Sequence, residues 1–387
     1  MKKIIIEVAK NFLFYSFHFL FRFLYLLLFF LPINKNKMYG NHFDGKPYGD
    51  SPKYIFEELK KLNRHVIIIW NSSNPKSQVK IDNVVYVRNN SLRQLFHLAT
   101  SSVWVSSVRM PLFLIKKKKQ IYYHTWHATL NMKRVENECP DLLSSRYIAT
   151  AKHDSKMIDY FISDNDDQTA SFINDFWCKK KPKILKFGCP RNDGIFINDG
   201  VLKKSLKLED KRILLYAPTF RNNSSLDVYN INFKRLIETL NNKTGDSWII
   251  FIRLHPRIHN LVKSIKFDET IRDASCISDI NCVLNEFDCL ITDYSSIIFD
   301  FVYTRKPSFI YASDINEYKE ERSFHLDLFD LPFSVSQNND ELIKNILEFD
   351  YSNYEKKLNE FQSKINFYSK GDASNLCARH ILNELEK

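Results

Sequence analysis

An α/β architecture of parallel, doubly wound sheets is what this sequence predicts, on three observations. Apolar runs of strand length alternate with stretches of helical periodicity from about residue 53 onward. The length of 387 residues suits two domains once a strongly apolar N-terminus is set aside. Four of the apolar runs end in polar, charge-bearing residues, and ligands of such sheets sit at the carboxyl ends of strands.

The N-terminus comes first. From Phe12 to Leu31 the chain is almost wholly Phe, Leu and Tyr, interrupted by Ser16, His18 and Arg22, and twenty such residues can cross a bilayer core. Arg22 makes crossing costly, so the same stretch also reads as a helix lying in the interface with Arg22 and His18 at the headgroups. Residues 1–37 are therefore expected to form a hydrophobic membrane helix, on the cytoplasmic face of the cell membrane. Seven cysteines without a C-x-x-C pair argue against a zinc site and a disulfide framework, and for a reduced compartment. The net charge of +11, with runs at Lys116–Lys119 and Lys179–Lys183, suits an anionic partner or simply a solvated face.

Residues 38–200 are expected to form the first domain. A helix over 53–62 precedes the buried strand His65–Trp70, and further strands are expected at Val84–Val87 and Val103–Ser106 around a helix at Leu92–Ala99. Ile121 opens another strand, which runs into His124, Trp126 and His127. His127 lies where a ligand can reach it and can take a proton from an alcohol; a satisfied core histidine is the alternative. Lys133 can meet a phosphate. Tyr147–Thr150 and Asp154–Ile162 are expected to continue as strand and helix. The turn-rich FGCPRND, Phe187–Asp193, closes the domain and puts Arg191 toward a cleft.

Residues 201–387 are expected to form the second domain. After a helix at about Val201–Lys207, the strand Ile213–Tyr216 ends in APTFR, where Thr219 and Arg221 fit a phosphate. A helix near Phe233–Leu240 leads to Trp248–Ile252, which ends in Arg253, His255 and Pro256. The stretch Phe287–Phe301 (FDCLITDYSSIIFDF) is a buried strand followed by Asp293, Ser295, Ser296 and an apolar helical face. Serines at a helix start make an anion site, or Asp293, Ser295 or Ser296 merely caps the helix. Lys370–Asp372 (KGD) precedes the last helix and is a further candidate for the cleft through Asp372. No G-x-G-x-x-G, Walker lysine motif or His/carboxylate metal cluster occurs. Four polar strand ends together favour a phosphate-bearing nucleotide. No cofactor is required, a substrate-borne divalent cation is compatible, and no nucleic-acid motif accompanies the charge.

The set WHATLNMK, GCPRND, YAPTFR, IRLHP, TDYSSIIFD and KGDAS, spread over residues 120–380, resembles the CDP-glycerol glycerophosphotransferase family of teichoic acid and capsule polymerases and primases. The resemblance implies two Rossmann-like domains facing a cleft, the glycosyltransferase-B arrangement, with peripheral membrane attachment. It implies transfer of glycerol phosphate or a related polyol phosphate from a CDP-glycerol or CDP-ribitol donor to the terminal hydroxyl of an anionic polymer or lipid-linked acceptor, releasing CMP. Residues 38–200 would then receive the acceptor and 201–387 the donor. His127 matches the family's base, His255 a histidine contacting the donor's phosphates, Ser295 and Ser296 its pyrophosphate-binding serines, and Thr219 and Arg221 its Pro-Thr-Phe-Arg element. Ala128 and Leu130 depart from the family's usual glycine and proline, and a methyl at 128 constrains the backbone if φ is positive there. A nucleotide-sugar glycosyltransferase of the same architecture and a non-catalytic, membrane-tethered binder of anionic polymer are the competing expectations.

Overall fold

The structure, a computed structural model, describes residues 2–43, 45, 48–197, 199–221, 229–254, 265, 267–275, 277, 279–321 and 323–387. The chain divides into two compact units. The first holds residues 1–127, 135–191 and 368–387; the second holds 128–134 and 192–367. The sequence-based division at residue 200 had placed 128–134 in the first half and the last helix, Ala373–Glu386, in the second.

The first unit is built on seven parallel strands: β1 (Asn34–Asn41), β2 (Ile67–Ser72), β3 (Val84–Arg88), β4 (Ser101–Ser106), β5 (Ile121–His124), β6 (Tyr160–Ile162) and β7 (Lys183–Leu185). Their order is β3-β2-β1-β4-β5-β6-β7. The second unit has β8 (Arg212–Tyr216), β9 (Trp248–Ile252), β10 (Ile271–Asp273), β11 (Cys289–Thr292), β12 (Ser308–Tyr311) and β13 (Ser334–Ser336), ordered β10-β9-β8-β11-β12-β13. All pairings are parallel. Counted from the first strand of each unit, both sheets run 3-2-1-4-5-6, the first extended by a seventh strand, and the order reverses between the first and fourth strands. That reversal opens a crevice at the carboxyl ends of β1 and β4 in one unit, and of β8 and β11 in the other.

Burial explains the central strands. Ile68, Ile69 and Trp70 of β2, Val103, Trp104 and Val105 of β4, and Leu214, Ile250, Leu290 and Ile291 of the second sheet have no exposed surface, as strands covered by helices on both faces require. β1 is harder to read: NKNKMYGN is polar over its first half, and only Met38 to Asn41 are buried. It begins at Asn34, inside the expected membrane segment. A second correction falls at residues 145–162. The expected strand Tyr147–Thr150 lies in the helix Ser145–Asp154, and the expected helix Asp154–Ile162 ends in the strand β6, Tyr160–Ile162. Ser144 settles it, because its side chain accepts the Tyr147 N–H and starts a helix there.

The N-terminal helix, Lys2–Leu26, lies against the first unit instead of standing apart. Arg22 Nη2 donates to the Leu112 carbonyl at 2.6 Å, the Phe21 and Phe113 rings meet at 5.4 Å, and Tyr25 is fully buried. No helix among the described residues is long and apolar enough to cross a membrane. Arg22 is therefore satisfied by backbone of its own domain, and the expected headgroup position for it is corrected.

Candidate active site

In the first unit His42 and Ser107, the residues directly after β1 and β4, form one contact cluster with Asp50, His127 and Arg191. His127 follows β5 by three residues, and the turn that delivers it puts Trp126 in the left-handed region, φ +55°. Ala128 is not left-handed, so the methyl in place of glycine meets no backbone strain. Leu130, in place of proline, is fully buried in the core of the second unit.

The His127 Nδ1 lies 3.3 Å from the Ser107 carbonyl. A carbonyl only accepts, so Nδ1 carries the proton and Nε2 presents its lone pair. Trp126 and Phe43 flank the ring at 4.2 and 5.5 Å between centroids. The imidazole keeps part of its surface open, yet this crowding strips enough water to push its pKa down to about 4, against the pull of Asp50 and helped by Arg191. It is a neutral imidazole with a free acceptor nitrogen at physiological pH. A general base needs both.

Arg191, expected to face a cleft, is held by its own unit. It is 7% exposed, donates from Nη1 to the His127 carbonyl at 2.6 Å, and pairs with Asp50 at 3.5 Å. His42 and Asp50 were not singled out from the sequence. The signal was Gly49-Asp50-Ser51-Pro52, a helix start, placed after a strand too polar to be read.

In the second unit the loops after β8 and β11 meet. Asp293 accepts the Thr219 N–H at 2.8 Å, the Thr219 hydroxyl at 3.0 Å and Arg221 Nη1 at 2.8 Å. Arg221 also grips Asp314 with two nitrogens, at 2.6 and 3.0 Å, and lies 4.7 and 4.8 Å from the rings of Tyr294 and Tyr318. At 3% exposure it is a buried cation shared by two aspartates. Thr219 and Arg221, the pair expected at a phosphate, brace the two loops, with Asp293 as the centre of the brace.

Ser295 and Ser296 stand directly after this brace, half-buried, with hydroxyls that have no partner among the described residues. The helix they precede, Ile297–Phe301, has only five residues before it tightens at Val302–Thr304. So short a helix has little macrodipole, and the hydroxyls and backbone N–H groups are what it offers an anion.

Arg253 donates to the Ala274 and Ile277 carbonyls at 3.0 and 2.6 Å, holding the loop after β10. Lys133 lies 5.1 Å over the Tyr318 ring. Asp372 is exposed at the start of the last helix, which it does not cap with its side chain. His255 lies outside the described residues. A further network was not foreseen: buried Asp300 accepts from the Thr129 hydroxyl and from Asn192 at 3.0 Å, while Asn281 donates to Asn192 at 3.0 Å. It joins three of the motifs within one unit. Among the described residues no group of three or more His, Cys, Asp or Glu is placed to hold a metal ion.

The chain is similar to named proteins over most of its length. It is 32% identical over 351 residues to a teichoic acid poly(glycerol phosphate) polymerase of Staphylococcus epidermidis, covering 86% of this chain and 48% of that protein. It thus spans about half of that relative. It is 30% identical over 371 residues to a polymerase of the same name from Bacillus spizizenii, covering 91% and 93%. The solved wall teichoic acid polymerase TagF superposes with a TM-score of 0.79 at 30% identity, over 92% of this chain and 90% of that one. A histidine variant of TagF was solved after a soak with CDPG. The model of CDP-glycerol:poly(glycerophosphate) glycerophosphotransferases matches residues 23–383, and the chain belongs to that family.

Proposed function

We propose that this protein transfers glycerol phosphate from CDP-glycerol to the terminal hydroxyl of a growing or lipid-linked acceptor, releasing CMP. The acceptor oxygen attacks the phosphorus that carries glycerol. The new O–P bond forms as the bond to CMP breaks, the hydroxyl proton passes to His127 Nε2, and CMP leaves with the electron pair. Ser295 and Ser296 hold the donor's diphosphate with His255, and Arg253 and Lys133 add positive potential. Thr219, Arg221 and Asp293 act beneath them by fixing the serine loop. The first unit takes the acceptor and the second the CDP moiety.

The observation that carries this reading is His127, with its Nδ1 proton tied to Ser107 and its Nε2 open at the carboxyl edge of a doubly wound sheet. Purified protein is given CDP-glycerol, CDP-ribitol or UDP-sugars with a glycerol-phosphate acceptor. CMP release with acceptor elongation is expected for CDP-glycerol. Transfer of a sugar from a UDP donor, or polymer binding with no CMP release, would overturn the assignment. CDP-ribitol as the preferred donor would keep the chemistry and change the polyol.

The protein is further proposed to rest on the cytoplasmic membrane face through the N-terminal helix, lying in the interface. While one side of this helix packs on the domain, Phe12, Phe19 and Phe23 on it and Phe30 in the turn after it are 70%, 76%, 55% and 82% exposed. Lys118 and Lys119 are exposed beside Lys117, which donates to the Leu31 carbonyl. Aromatic side chains with nearby cations suit an anionic lipid surface. Phe19→Ser combined with Phe30→Ser is expected to weaken binding to phosphatidylglycerol vesicles on the order of tenfold or more. CMP release on soluble acceptors should stay near normal. Undiminished vesicle binding would place the anchor elsewhere.

A further inference from the structure

Around His127 the contacts close into a ring. Ser107 accepts the His127 Nδ1 proton on its carbonyl, and its hydroxyl lies 3.0 Å from His42 Nδ1. That same His42 nitrogen is 3.2 Å from Asp50 Oδ2. Asp50 Oδ1 faces Arg191 at 3.5 Å, and Arg191 returns to the His127 carbonyl at 2.6 Å. Asp50 is the single carboxylate in this ring, and its side chain is 5% exposed.

We propose that Asp50 is the positioning residue of His127. Through His42 and Ser107 on one side and Arg191 on the other, it fixes the imidazole and supplies the negative charge that stabilises the imidazolium formed when the acceptor proton is taken. The inference rests on the reading of His127 as the base.

Helix initiation alone does not account for Asp50. Its backbone is left-handed, φ +57°, a strained conformation outside glycine that persists where the surroundings enforce it. The residue before it, Gly49, is extended and makes no side-chain cap. Only one Asp50 oxygen serves the helix start, accepting the Ser51 N–H at 2.6 Å, while the carboxylate otherwise faces His42 and Arg191. Burial would raise the Asp50 carboxyl, but Arg191, His42 and the Ser51 N–H outweigh it and hold it well below the usual carboxylate range. It is charged whenever the enzyme works. The ionisable groups that face the His127 imidazole are Asp50 from the helix Asp50–Leu62, Arg191 from the segment after β7, His42 from the end of β1 and His124 from β5. Asp50 alone among them favours the protonated ring.

Asp50→Asn tests the proposal, because asparagine tolerates the left-handed backbone as aspartate does, while the charge and one of the two acceptor oxygens are lost. The expected result is a drop in kcat on the order of 10–100-fold, smaller than for a carboxylate bonded directly to its histidine. KM for CDP-glycerol should stay within about twofold, and the acidic limb of the kcat/KM profile should move to lower pH. Arg191→Gln removes the opposing charge and should move that limb to higher pH. A role in folding alone lowers the active fraction and shifts neither limb. If the limb stays put in whichever variant folds, Asp50 does not position the base. If His127→Ala retains normal turnover, the reading beneath the proposal fails instead, and the two failures are told apart by that single variant.

Discussion

His127→Ala is expected to lower CMP release from CDP-glycerol by at least about a hundredfold, at an unchanged melting temperature. The size follows from chemistry. An alcohol is a poor nucleophile until its proton is taken, and Nε2 of His127 is a lone pair fixed by the Ser107 carbonyl on the far side of the ring. The unchanged stability follows from position, because the imidazole is only partly buried and its one hydrogen bond of 3.3 Å is long. Its carbonyl, which anchors Arg191, survives the substitution. Near-normal turnover would remove this residue from the reaction.

The pH dependence has a definite sign. Desolvation sets the His127 pKa at about 4 in the free enzyme, so the ring is neutral above that value and the acidic limb of kcat/KM falls near it. A bound diphosphate brings negative charge, which favours the imidazolium. The limb of kcat, which reports the complex, should therefore lie at higher pH than that of kcat/KM. The same shift strengthens the base as substrate arrives, which a neutral but weak free base needs.

Much of this was legible in the sequence, and the failures have physical reasons. β2, β4, β8, β9 and β11 were found because strands covered on both faces must be apolar throughout. β1 was not, because a strand whose first half is exposed carries no such run, and with it went His42, the residue after its end. Two parallel sheets were expected, but the order of strands within each could not be read, since pairing order is not written in periodicity. His127 was found as a polar residue just past a strand end, and Ser295 and Ser296 in the same way. Arg221 and Arg253 were read as meeting phosphate, and Arg191 as facing a cleft. A guanidinium on a polar strand end looks the same in sequence whether it meets a ligand or a buried carboxylate, and the partners Asp314 and Asp50 lie 93 and 141 residues away.

Arg221 provides the strongest test of that distinction. Arg221→Ala is expected to destabilise the second unit by about 3–5 kcal/mol, because it leaves Asp293 and Asp314, 2% and 9% exposed, buried without their shared cation. That is a large share of what a domain of this size has to lose. It should appear as early unfolding and as faster hydrogen exchange in β8 and β11, whose ends the brace ties together. A phosphate ligand would behave otherwise: stability near normal, and weaker binding of the donor. Ser296→Ala should follow that second pattern, within about 0.5 kcal/mol of the wild type in stability and with a raised KM for CDP-glycerol. Adding Asp314→Asn to Arg221→Ala should recover part of the lost stability, since the penalty comes from uncompensated charge and not from the missing side chain. If Arg221→Ala melts normally and Asp314→Asn changes nothing, the guanidinium serves the donor after all, and the loop after β8 is held by Thr219 and Asp293 alone.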